Sequence, residues 1–84
     1  MAKSLHTPEY EKFRSILVAA RERSGLTQSD VSTSLGKPQS FVAKYEGGER
    51  RLDVIEFIQV CLALNIDPHT VLNQLLAQVE GESA

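Results

Sequence analysis

Apolar residues recur at intervals of three and four along most of this chain, the period of helices with one buried face. Tyr10, Phe13, Ile16, Leu17 and Ala20 form the first such stripe. Thr7-Pro8-Glu9 opens it with a capping residue, a proline whose missing N–H costs nothing there, and an acid in the first turn. Ser24-Gly25 closes it. A second, shorter helix begins at Thr27, with Asp30 three residues on as in a capping box and Leu26 and Val31 as a hydrophobic staple. Val31 and Leu35 face inward, and Gly36 ends the helix where a left-handed residue is preferred. A third runs from about Pro38 to Glu46, with Val42 and Tyr45 inward and Gly47-Gly48 as its stop. Asp53-Val54-Ile55-Glu56 opens the fourth with another capping box; it carries Val54, Phe57, Ile58, Cys61 and Leu62 and closes at Asn65. Asp67-Pro68 starts the fifth, whose apolar positions are Val71, Leu72, Leu75, Leu76 and Val79.

No segment reads as a strand, and no repeat is visible. The pattern predicts a compact all-α domain of five helices over residues 8–80, a short flexible arm over residues 1–7, and a tail over residues 81–84 that begins at Gly81. With 84 residues the chain has room for one core, and a second copy packed against it would add stability.

The stretch from Gly25 to Arg51 carries the functional signal. Two short helices flank a tight turn containing Gly36, a layout that holds the second helix clear of the body for entry into a DNA major groove. Small Ser32 lies opposite the turn, where two crossing helices need a small side chain. Val31, Leu35, Val42 and Tyr45 anchor the pair, which leaves Gln39, Ser40, Ala43 and Lys44 on the outer face of the third helix, with Lys37 and Pro38 at its start. Glutamine can make two hydrogen bonds to adenine, lysine reaches guanine acceptors or a phosphate, and serine is permissive.

Charge sharpens this picture. The net charge of −2 argues against a polyanion partner only when the chain is taken whole. All nine Lys and Arg lie between Lys3 and Arg51 against six acids, a balance of +3; from Leu52 onward there are five acids and no Lys or Arg, a balance of −5. One half can face DNA while the other faces away.

Little supports other chemistry. Cys61 sits alone on an apolar stripe, which excludes an internal disulfide and fits a reducing compartment. His6 in the arm and His69 near a helix start have no partners at metal-ligand spacing. No nucleophile–base pair or carboxylate pair stands out, so the expectation is a non-enzyme without cofactor or metal. No apolar run reaches membrane-span length and no secretory signal opens the chain, which points to a cytoplasmic protein of a bacterial or phage-infected cell.

The segment LTQSDVSTSLG, followed by a helix ending in KYEGGERR, resembles the phage-repressor/Cro-type, or XRE-like, helix-turn-helix family. Leu26-Thr27-Gln28 matches the family's start of helix 2 and Leu35-Gly36 its end. Tyr45-Glu46-Gly47-Gly48-Glu49-Arg50 matches the segment after the recognition helix, and LDVIEFIQVCLALNIDPHTVL the fourth and fifth helices. The resemblance covers roughly residues 10–76. It implies a lambda-repressor-like fold and a sequence-specific double-stranded DNA-binding transcription regulator, a repressor more simply than an activator.

The resemblance also implies roles. Thr27 and Gln28, at the start of helix 2, meet phosphate, as do Lys37, Arg50 and Arg51; Pro38, Gln39, Ser40 and Lys44 occupy base-contacting positions. Two departures stand out. Pro38 replaces the Ser or Thr that often caps helix 3, so the boundary shifts toward Lys37. Phe41 is larger than its usual counterpart and either packs beside Tyr45, the favoured reading, or touches thymine methyl groups. Helix 5, through Val71, Leu72, Leu75, Leu76 and Val79, is the candidate dimerisation element, with two recognition helices about 34 Å apart on a partly palindromic operator. Two alternatives use the same fold: a protein-interaction module, and an antitoxin-type regulator with a protein partner.

Overall fold

The computed structural model describes the backbone of residues 7–83 and the side chains of residues 7–77. Its elements are α1 (Pro8–Arg23), α2 (Gln28–Leu35), α3 (Gln39–Glu46), α4 (Val54–Leu64) and α5 (Pro68–Ser83), with no strand among the described residues. The end signals act as expected. Thr7 Oγ1 accepts from the Tyr10 N–H at 3.1 Å, and both capping boxes, Thr27 with Asp30 and Asp53 with Glu56, close in both directions. Gly36 and Asn65 both take the left-handed conformation, with φ of 70° and 60°. Behind Gly36, the Lys37 N–H bonds back to the Ser32 carbonyl at 2.9 Å and turns the chain sharply toward α3.

A Cβ at Gly36 would meet nothing within 4 Å, so only backbone strain opposes a side chain there. Gly36→Ala is expected to lower stability by about 1 kcal/mol, the strain of one left-handed residue, and the thermal midpoint by about 4–8 °C. Thermal unfolding followed by circular dichroism checks this, and an unchanged midpoint would contradict it.

The sequence pattern and the structure part at three places. Pro38 is itself the N-cap of α3, extended at ψ 153° and without a side-chain hydrogen bond, so the helix boundary does not move to Lys37. The helix α5 continues through Gly81 to Ser83, past the point where a tail was expected to begin. Residues 1–6 of the expected arm, with His6, lie outside the described residues. In α4 the inward positions are Phe57, Val60, Cys61 and Leu64, whereas Val54, Ile58 and Leu62 of the apparent stripe point outward. An unbroken run of apolar residues hides the helical phase, and only packing reveals which face is covered.

The core joins α1, through Tyr10, Phe13, Leu17 and Ala20, to Val31 of α2, Val42 and Tyr45 of α3, the inner face of α4 and Val71 of α5. Tyr10, Phe13 and Phe57 stack as tilted neighbours, with ring centroids 5.3 and 5.4 Å apart. The extensive contact between α2 and α3, backed by α1 and α4, fixes the pair that carries the site.

Candidate nucleic-acid interface

Ser32 is 2% exposed at the α2–α3 crossing, with its Oγ 3.5 Å from the Gln39 carbonyl oxygen, so a small residue does stand where the helices come close. The inner side of α3 is buried through Phe41, Val42, Tyr45 and Glu46. Phe41 packs edge-on to Tyr45 with centroids 5.7 Å apart and is 8% exposed, which places it in the core rather than at a thymine methyl group. The inner side chains leave Gln39, Ser40, Ala43 and Lys44 exposed together, with Lys37 and Pro38 exposed at the helix start. The residues expected to meet base edges therefore share one solvent-facing surface.

One group in this region was not singled out from the sequence. Glu46 is a buried acid, and Arg21 of α1 grips both its oxygens, Nε to Oε2 at 2.7 Å and Nη2 to Oε1 at 3.1 Å. The same guanidinium donates to the Leu26 carbonyl oxygen at 2.9 Å, and its hydrogen bonds to the Glu46 carboxylate raise the Arg21 pKa. Arg14 adds a contact to the Glu46 backbone carbonyl while paired with Glu11. A carboxylate removed from water is tolerated only when paired in this way. The signal was present in the spacing: Val42, Tyr45 and Glu46 stand at i, i+3 and i+4 and share one inward face.

Gln28 belongs to this cluster, since its amide Nε2 donates to Glu46 Oε1 at 2.9 Å. The buried acid thus holds the half-buried Gln28 side chain at the start of α2. The start of α2 is less open than its helix dipole suggests. Thr27 Oγ1 accepts from the Asp30 N–H at 3.0 Å, and the Thr27 N–H is itself taken by Asp30 Oδ2 at 2.8 Å. Arg51 lies exposed with its guanidinium 4.3 Å from the Tyr10 ring centroid, and the Lys37 ammonium lies 5.1 Å from that of Phe41. Arg50 is differently placed: its guanidinium makes a two-pronged pair with Glu56 at 3.0 and 2.7 Å.

On α5 the expected dimerisation residues divide. Val71, 2% exposed, belongs to the core and is not open to a partner as the sequence pattern suggested, whereas Leu75 is half-buried against the core. Leu72 and Leu76 are 46% and 55% exposed, and the side chain of Val79 lies outside the described residues. The α4 residues Val54, Ile55, Ile58 and Leu62 are exposed as well, a second apolar strip that the sequence pattern had assigned to the interior in part.

Among the described residues no cluster of His, Cys, Asp and Glu could hold a metal ion, and no helix is long and apolar enough to cross a membrane. Cys61 is fully buried, and burial pushes its thiol up to about 11, a poor nucleophile.

Comparison with known proteins gives this arrangement its context. A family model described as helix-turn-helix matches residues 17–71. An XRE-family like protein from Pseudomonas syringae pv. tomato str. DC3000 is 43% identical, with a TM-score of 0.84 over 89% of this chain and 92% of that one. The restriction-modification controller protein C.AhdI from Aeromonas hydrophila is 26% identical, with a TM-score of 0.70 over 77% of this chain and 98% of that one. A second controller protein, C.Esp1396I, solved as a tetramer in complex with its natural 35 base-pair operator, is 15% identical and shares the fold, with a TM-score of 0.77 over 88% of this chain and 97% of that one. A search of curated proteins returned no match. With its turn at Gly36, its outward-facing third helix and the family match over residues 17–71, the chain belongs to the XRE-type helix-turn-helix family.

Proposed function

We propose that this protein is a sequence-specific transcription regulator of double-stranded DNA, dimeric on a partly palindromic operator and most simply a repressor that occupies a promoter. The observation that carries the reading is the outer face of α3. Its inner face is locked into the core while Gln39, Ser40 and Lys44 stand exposed on a helix that fits a major groove. These three, with Pro38 at the helix start, would meet base edges. Gln28, held by Glu46, would meet a phosphate together with Thr27 at the start of α2; Lys37 and Arg51 would flank the backbone on either side. The α4–α5 half, which carries acids and no Lys or Arg, would face away from the duplex and hold the second copy.

Alanine variants of the two glutamines test the division of labour. Gln39→Ala is expected to weaken binding to the preferred sequence by about 1–3 kcal/mol and to change non-specific binding less. Lys44→Ala behaves in the same way if its ammonium reads a guanine. Gln28→Ala is expected to weaken binding to every duplex alike and to leave the dependence of affinity on salt at the wild-type slope, because an uncharged amide neutralises no phosphate. Affinity titrations on specific and scrambled duplexes at several salt concentrations check both. Equal loss on all sequences for Gln39→Ala removes it from the readers, and a loss confined to the preferred sequence for Gln28→Ala removes it from the phosphate contacts.

A further inference from the structure

The recognition helix reaches the half that would hold a second copy by two routes, the packing of α2 against both α3 and α4 and the loop between α3 and α4. Arg50 dominates that loop. Its Nη1 and Nη2 donate to Oε1 and Oε2 of Glu56 at 3.0 and 2.7 Å, and Nη1 also donates to the Arg51 carbonyl oxygen at 3.0 Å. Three of the five guanidinium N–H groups are thereby committed within the protein. The guanidinium carbon lies 4.8 Å from the ring centroid of Phe41, a buried residue of α3. Glu56 in turn accepts from the Asp53 N–H at 2.9 Å as part of the box that starts α4. Its side chain is largely covered, and the paired guanidinium holds its carboxyl at about 2, well below the usual carboxylate range. A two-pronged Arg–carboxylate pair fixes orientation as well as distance.

We infer that Arg50 is a positioning residue rather than a phosphate contact: it clamps the recognition helix, through Phe41, to the first turn of α4, through Glu56. The apolar strip exposed on α4 begins two residues before Glu56, at Val54, so the clamp sets the recognition helix relative to the face where a second copy would sit. Its consequence for DNA is the spacing between half-sites rather than the sequence within one. The inference rests on the dimeric DNA-reading function proposed above.

The test uses the full chain with Glu56→Gln, Arg50→Gln and the double variant. Glutamine at position 56 keeps an oxygen for the Asp53 N–H and removes only the charge that holds Arg50. Circular dichroism first establishes that each variant is folded at the temperature of measurement. Each single variant is expected to bind the operator about 5- to 10-fold more weakly, which is about 1–1.4 kcal/mol. The double variant is expected to be no worse than the weaker single, and the salt slope to stay at the wild-type value. Both single variants are also expected to tolerate one base pair more or less between half-sites better than the wild type, a readout that a general loss of stability does not move. Arg50→Gln flattening the slope by about 0.9 while Glu56→Gln binds as well as the wild type or better assigns Arg50 to a phosphate and overturns the clamp. Unchanged affinity and spacing preference in both variants overturns it equally. A wild-type chain that binds no duplex overturns the proposed function and the clamp together, whereas failure of the clamp alone leaves wild-type binding intact.

Discussion

Replacing Glu46 with alanine is expected to lower the stability of the domain by about 3 kcal/mol, which moves the thermal midpoint down by about 12–24 °C in a chain of this size. The acid is 8% exposed, and Arg21, whose side chain is 14% exposed, has no other carboxylate among its hydrogen-bond partners in the described residues. Removing the acid leaves a largely buried guanidinium with only the Leu26 carbonyl to satisfy it, and the uncompensated charge dominates the loss. The Arg14 contact survives, because it goes to the Glu46 backbone. Arg21→Met combined with Glu46→Met is expected to recover much of the stability, since a buried pair replaced by apolar groups is often near neutral. Denaturant titration of the single and double variants checks this. A single-variant loss below about 1 kcal/mol would show that solvent already screens the pair. The same substitution frees Gln28, so DNA affinity should fall even at temperatures where the variant stays folded.

The second large effect concerns assembly. Leu62→Asp combined with Leu76→Asp is expected to convert a dimer to a monomer and to weaken operator binding by about 100-fold or more, because two linked half-site contacts become independent. Leu62 is 71% exposed and Leu76 55%, and Val54, Ile55, Ile58 and Leu72 are exposed with them. From Phe57 to Val79 the only Asp, Glu, Lys or Arg is Asp67. A face that meets its own copy must avoid unpaired like charges, and this one nearly does. Because neither leucine belongs to the buried core, the variant monomer is expected to stay folded, with a midpoint that no longer rises with protein concentration. Analytical ultracentrifugation decides it: a variant that sediments like the wild type places the interface elsewhere.

Much of the domain was legible because its local signals are consistent with one another. Thr27 with Asp30, Asp53 with Glu56, Gly36 and Asn65 each fix a helix end through backbone chemistry that needs no distant partner. The outer face of α3 was legible for the converse reason, since Val42 and Tyr45 mark the inner face and Gln39, Ser40 and Lys44 are what remains. What depended on tertiary packing was not legible. In α4 nearly every position is apolar, so periodicity gave no phase, and the exposed strip from Val54 to Leu62 emerged only with the fold. On α5, Val71 and Leu72 are adjacent in sequence and equally apolar, yet one is buried and the other open. The Arg21–Glu46–Gln28 cluster joins residues 25 and 18 positions apart, a relation that composition and spacing do not encode. Arg50 shows the same limit: its pairing with Glu56 on α4 emerged only with the fold.

The most direct test of the central claim is selection of bound sequences from a random double-stranded DNA library at moderate salt, using the full chain. Enrichment of a two-fold-symmetric motif whose half-sites lie about one helical turn apart is expected, with Gln39→Ala relaxing the preference at one position in each half. A bound pool indistinguishable from the input would contradict that claim, and the exposed apolar strip would then be the surface to examine for a protein partner.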